Sequence, residues 1–350
     1  MRSSFTLAAT TVLVASSLFM ASSVEAQQLC NGYAALCSKQ YSQVAYATTH
    51  NAYAFTPAGS RPALAANQDN NITTQLKDGI RALMLDAYNV PSGNPDDIEL
   101  CHTSCTLFDG GLLSTTLAEI KTFMEANPNE VITIFWENAG NLTPAHFQIV
   151  YQAAGMVDYS YTQPVGNNTW PTLAEMISSG KRLVSYLDDG ADASVPWLMA
   201  EYDFIFETPY AIPTGGPYLC TVDRPRDQRK SMYVLNHFVS GNLTLDGVVV
   251  DIPQPGAALQ TNGAALVSHV NNCTQVFSQS ASFIAVDFYE KGSVMQTVAQ
   301  VNGVTFNGIL PTQPTNSTSG ASSTTPHMGG FSKESVAMAV AAVFMAVMAL

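Results

Sequence analysis

Two histidines and three acids occupy positions at which a chain of this kind would do chemistry. His50 follows one apolar run, Asp86 ends a second, His102 a third and Glu137 a fourth, and Asp287 lies near the end of the last. A charge isolated in an otherwise apolar strand is costly unless it is paired or bound to a metal. One shared site therefore explains these positions better than separate accidents. An imidazole titrates near neutrality, so it can hold a proton and still give it up. The carboxyls of Asp86, Glu137 and Asp287 could equally serve as the acid and base of a glycoside hydrolase. His146, His269 and His327 have no such company and default to surface or solvent.

The elements that would position these residues alternate. Short runs rich in β-branched and aromatic residues are separated by stretches of helical periodicity. We read eight strands, over Gln43–Ala47, Ala82–Asp86, Glu99–His102, Val131–Glu137, Arg182–Leu187, Phe204–Glu207, Met232–Leu235 and Phe283–Phe288. The helical stretches are Leu113–Ala126, capped from Ser114–Thr116, with Pro144–Ala154, Thr172–Ser179 and Gly263–Ser278. Eight strands with intervening helices in one domain, residues 27–310, point to an α/β fold of the TIM-type (βα)8 barrel, in which the strand ends converge on one face.

The ends of the chain read as processing signals. Arg2, an apolar run from Phe5 to Met20 and small residues closing at Ala26 make a secretory leader over 1–26. Residues 311–334 are a Ser/Thr/Pro-rich linker, and 335–350 an apolar run shorter than the roughly 20 residues a span needs. Together they fit a glycosylphosphatidylinositol attachment signal, which would place the protein outside the cell, on the plasma membrane or in the wall. All six cysteines follow the leader, as expected in an oxidising compartment. Sequence does not fix their pairing, although short loops favour Cys30 with Cys37 and Cys101 with Cys105, leaving Cys220 with Cys273. Glycosylation triplets begin at Asn71, Asn141, Asn167, Asn242, Asn272 and Asn316. A net charge of −13 argues against nucleic acid as a partner.

Four segments in order, Thr48-Thr49-His50-Asn51-Ala52-Tyr53, Gly79-Ile80-Arg81-Ala82-Leu83-Met84-Leu85-Asp86, Leu100-Cys101-His102 and Val131-Ile132-Thr133-Ile134-Phe135-Trp136-Glu137-Asn138, carry a resemblance to the X-type catalytic region of phosphatidylinositol-specific phospholipases C. Gly180–Val184 and Ala285–Tyr289 extend it more loosely. The resemblance implies phosphodiester cleavage by attack of a neighbouring ring hydroxyl, on an inositol phospholipid or lipid-linked glycan. His102 would protonate the leaving oxygen, and His50 would hold the phosphate or take the attacking proton. The family's metal-dependent branch is matched by Asn51, Asp86 and Glu137, hard oxygen ligands for a divalent cation, Ca2+ ahead of Mg2+. Met84 departs from the pattern, since both branches carry an acid there. Its loss makes Asp287 a substitute base and leaves open a surface protein that kept the barrel without turnover. Arg81, Asp188 and His237 are the candidate substrate contacts.

Overall fold

The computed structural model describes residues 28–314, other than 58–62, 91–93, 95, 211 and 246–247. The expected leader, and the tail beyond residue 314 with its attachment signal, lie outside the described residues. The strands are β1 (Tyr46–Thr49), β2 (Ala82–Asn89), β3 (Ile98–Cys101), β4 (Asp109–Leu112), β5 (Ile132–Glu137), β6 (Leu183–Leu187), β7 (Leu198–Ala200), β8 (Ile205–Glu207), β9 (Met232–Asn236), β10 (Ser240–Leu245), β11 (Val248–Pro253) and β12 (Phe283–Val286). The helices are α1 (Ile72–Lys77), α2 (Leu113–Ala126), α3 (Pro144–Ala153), α4 (Leu173–Ser179), α5 (Glu201–Phe204), α6 (Ala258–Gln260), α7 (Leu266–Phe277) and α8 (Val294–Val301). Among the described residues, no helix is long and apolar enough to cross a membrane.

Eight strands form a curled parallel sheet in the order β7-β6-β5-β2-β1-β12-β9-β8. The barrel is open, because β7 and β8, its two ends, do not pair with each other. The strands read as continuous apolar runs because both sheet faces are covered. In β12, Phe283 and Ala285 point into the barrel with Tyr46, Phe135 and Tyr186, while Ile284 and Val286 pack outward with Leu266 and Val270 of α7. Side chains alternate across a strand with period two. Every inward position past the last apolar residue therefore falls at the mouth.

The structure corrects three details of the sequence reading. Glu99–His102 is not a barrel strand: β3 pairs antiparallel with the far end of β2, and β4 returns beside it. The eighth barrel strand is the three-residue β7, too short to show a period. Helix α2 starts without a cap from its own side chains; instead Asp97 Oδ1 accepts from Ser114 N at 3.2 Å.

Three disulfides are formed, Cys30–Cys37, Cys101–Cys105 and Cys220–Cys273. The last spans 53 residues and ties the loop after β8 to α7. A closure of that length is worth about 2–4 kcal/mol.

Candidate active site

His50, Asp86, Glu137 and Asp287 all stand at inward positions on the C-terminal side of the barrel, and with His102 they line one open cleft. The backbone turns sharply at Asn51, whose φ of 43° is a left-handed value that asparagine tolerates better than most residues. His50 is held from three sides. Its Nδ1 donates to Asp287 Oδ1 at 2.9 Å, Gln68 Nε2 donates to its carbonyl at 2.7 Å, and Phe238 stacks on its ring with centroids 3.8 Å apart. Asn67 Nδ2 donates to both oxygens of Asp287, at 3.1 and 3.2 Å, and Asn67 Oδ1 accepts from Asn51 Nδ2 at 3.3 Å. Once Nδ1–H is committed to Asp287, Nε2 is left with a lone pair, the arrangement a general base requires.

His102 reaches the same cleft from the β3–β4 excursion. Its backbone N–H donates to Phe108 O at 3.1 Å, its Nδ1 donates to Ala65 O at 2.7 Å, and the Cys101–Cys105 bridge closes the loop around it. Burial holds its pKa below the usual 6.5; the Ala65 carbonyl opposes this, the charge of His50 adds to it, and Asp287 opposes it. The tautomer fixed by Ala65 again frees Nε2 for the cleft, and there the protonated ring can give up its proton.

The candidate oxygen ligands Asp86 and Glu137 come from neighbouring strands. Asp86 and Glu137 are direct partners in the β2–β5 register. Burial, then the charge of Glu137, pushes the Asp86 carboxyl well above the carboxylate range. Asp188, after β6, accepts from Asn138 N at 2.9 Å, and its pKa is pushed up by burial to about 6. Asn51 Oδ1 is buried without a hydrogen-bond partner. An orphaned amide oxygen and two carboxyls lining the same cleft are donors of the type that fits a hard divalent ion. Two other clusters of possible ligand groups each contain both cysteines of a disulfide and so offer no thiolate. Met84 lies inward and half-buried in a chamber beneath the cleft, beside Asp86.

Two candidate substrate contacts lie elsewhere. Arg81 precedes the first residue of β2, at the opposite end of the barrel, where Nε donates to Glu130 at 2.7 Å and Nη1 to the carbonyls of Leu76 and Ile80. His237 is one residue past the inward Asn236 and so faces outward: Nδ1 meets His269 Nδ1 at 3.0 Å and Nε2 donates to Thr261 O at 2.8 Å. Burial lowers His237 to about 3 and His269 to about 4. The unfolded rings take protons near 6.5 and the folded pair does not, so the pair costs stability as pH falls from 6.5 toward 4. Neither ring should titrate between about pH 5 and 8 in histidine nitrogen NMR spectra of the folded protein. A midpoint near 6.5 would contradict this burial.

Residues outside the sequence reading complete the site. Asn67 reaches it from the loop before α1, and Glu201, Glu207 and Arg224 line the chamber under the cleft. Only Glu207 carried a usable signal, an acid ending a strand at an inward position. The fold is that of a phospholipase C-like barrel. The family model described as PI-PLC X 1 matches residues 36–302, and the chain belongs to that family. A protein of Arthroderma benhamiae named "Uncharacterized secreted protein" is 32% identical over 296 residues, which are 80% of this chain and 65% of that protein's length. The "PI-PLC X domain-containing protein 1" of the same fungus is 31% identical over 287 residues, 79% of this chain and 90% of its own. The phosphatidylinositol-specific phospholipase C from Listeria monocytogenes has a similar fold, with a TM-score of 0.51 at 17% identity, over 76% of this chain and 94% of that one.

Proposed function

We propose that the protein cleaves a lipid phosphodiester by acid–base chemistry between His50 and His102. The observation that carries this reading is the His50–Asp287 pair, 2.9 Å apart, facing a second imidazole whose Nδ1 is tied to a backbone carbonyl. With a head group in the cleft, His50 Nε2 takes the proton from the ring hydroxyl next to the phosphate. The hydroxyl oxygen bonds to phosphorus, the bond from phosphorus to the glycerol oxygen breaks, and His102 Nε2–H supplies that oxygen's proton. The products are a cyclic phosphate and diacylglycerol, with one proton taken and one given.

Asn51, Asp86 and Glu137 would hold a divalent cation, and the mixed amide and carboxylate set suits the adaptable shell of Ca2+ better than the rigid octahedron of Mg2+. When bound, the ion supplies positive charge against the phosphate oxygens. Secretion, lipid anchorage near the C-terminus and a membrane-borne substrate form one consistent picture, because the anchor would hold enzyme and lipid at high local concentration.

The test is to incubate the secreted protein with phosphatidylinositol and follow phosphorus NMR, with and without a chelator. A cyclic phosphate that fails to form after chelation is the expected result. Formation undiminished by the chelator would remove the cation from the reading, and no product from any phosphodiester would remove the reading itself.

A further inference from the structure

The glycosylation triplets have no part in the chemistry above, and all but the one at Asn316 fall on described residues. An N-linked oligosaccharide is bulky and hydrated, so the folded chain keeps one only where the asparagine amide opens to solvent. The triplets differ in this respect. At Asn272, on α7, Nδ2 lies on Cys220 Sγ at 3.3 Å and the Thr274 hydroxyl donates to Val270 O. At Asn71 the side-chain oxygen caps α1 by accepting from Thr74 N at 2.9 Å, and the Thr73 hydroxyl donates to Glu119. Asn167 is exposed, but its side-chain oxygen accepts from Thr169 N, and it lies between α3 and α4, on no loop that leaves a strand.

Asn141 and Asn242 are the open ones. Both are exposed, as are Thr143 and Thr244 of the same triplets, and none of these four side chains bonds to another described residue. Asn141 lies four residues past Glu137, in a loop pinned where Asn89 Nδ2 donates to Gly140 O at 2.7 Å. Asn242 is the register partner of Asp251, which lines the cleft, and directly opposed residues of an antiparallel pair share a face. The strands that lead to the two loops, β5 and β9, stand four apart in the eight-strand order, so the acceptors rise from opposite walls of the barrel.

We infer that Asn141 and Asn242 carry N-linked oligosaccharides, which flank the mouth and keep it from lying flush on a packed lipid surface. The donor is an oligosaccharide carried on a lipid pyrophosphate. Its C1–O bond to the pyrophosphate breaks with the electron pair leaving on oxygen, C1 bonds to the asparagine Nδ2, and Nδ2 gives up one proton. Pressed against lipid, each glycan must shed its water, which is costly, or hold the surface away. What this does to turnover rests on the phosphodiesterase reading above; the place of the glycans does not.

For the test, protein is collected from the medium of a glycosylating eukaryotic host and cut with a protease. Its glycans are then released enzymatically in heavy-oxygen water, which marks each occupied asparagine as a labelled aspartate in the mass spectrum. Asn141 and Asn242 should both be marked in most of the protein, and either one unmarked overturns the inference. The effect on the mouth is read by sedimentation with vesicles of phosphatidylcholine and phosphatidylinositol, which needs no turnover. The double variant N141Q/N242Q should bind these vesicles about tenfold more tightly, and N167Q as the native protein does. Enzymatic trimming of the native glycans should reproduce the gain without any change of sequence. Vesicle binding unmoved in the double variant and after trimming, or raised equally in N167Q, overturns the shielding, whether or not the protein cleaves a phosphodiester.

Discussion

Replacing His102 by alanine is expected to lower kcat/KM toward phosphatidylinositol by about 10²–10⁴-fold, and His50→Ala by a similar factor. The two losses differ in kind. An aryl leaving group departs without a proton, so a nitrophenyl phosphodiester of inositol should restore much of the rate to the His102 variant and none to the His50 variant. The pH profile gives a separate check. The acid must be protonated in the free enzyme, and burial holds the His102 pKa below 6.5. The alkaline limb of kcat/KM should therefore fall below pH 6.5, and it should vanish in H102A. A profile still rising at pH 8, or aryl substrates that rescue the wrong variant, would reverse the assignment of acid and base.

Asp287→Asn should cost about 10³-fold or more in kcat while leaving the fold intact. In the native protein both carboxylate oxygens accept from Asn67 and one also accepts from His50 Nδ1. An amide has a single acceptor oxygen, so one of these bonds must be lost. If its NH2 turns toward His50, the imidazole proton moves to Nε2 and the lone pair needed for proton abstraction disappears. If its oxygen turns there instead, the imidazolium formed during the reaction lacks a negative partner. Nitrogen NMR of His50 separates the two outcomes, and wild-type turnover in D287N would exclude His50 as the base.

Most of the mouth was legible because it follows strand parity. His50, Asp86, Glu137 and Asp287 each lie an even number of residues from an inward apolar side chain, Tyr46, Ala82, Phe135 and Phe283 respectively. The same count removes His237, one step past Asn236, and places Arg81 at the wrong end of its strand. Lying just after a strand, as His237 does, does not by itself say which face a residue takes. His102 was found on a mistaken element: an apolar run ending in histidine looks the same on an antiparallel return as on a barrel strand. Only long-range pairing with β2 distinguishes them. Asn67, Glu201 and Arg224 were not legible at all. Asn67 and Arg224 sit in loops whose paths are set by tertiary contacts, and Arg224 is placed beyond Cys220, which is bridged to α7. Glu201 follows a strand too short to announce itself.

The gap between β7 and β8 is spanned by the single helical turn of α5, which also presents Glu201 to the chamber. A ring closed all round by hydrogen-bonded strands can widen only by breaking part of its ladder. Here the two terminal strands can move apart while every strand pairing survives, and the turn between them is held by Phe204 against Trp170 and Tyr186 and by Tyr202 Oη donating to Glu207. A change confined to this one turn would thus alter the opening without rebuilding the wall that carries the imidazoles.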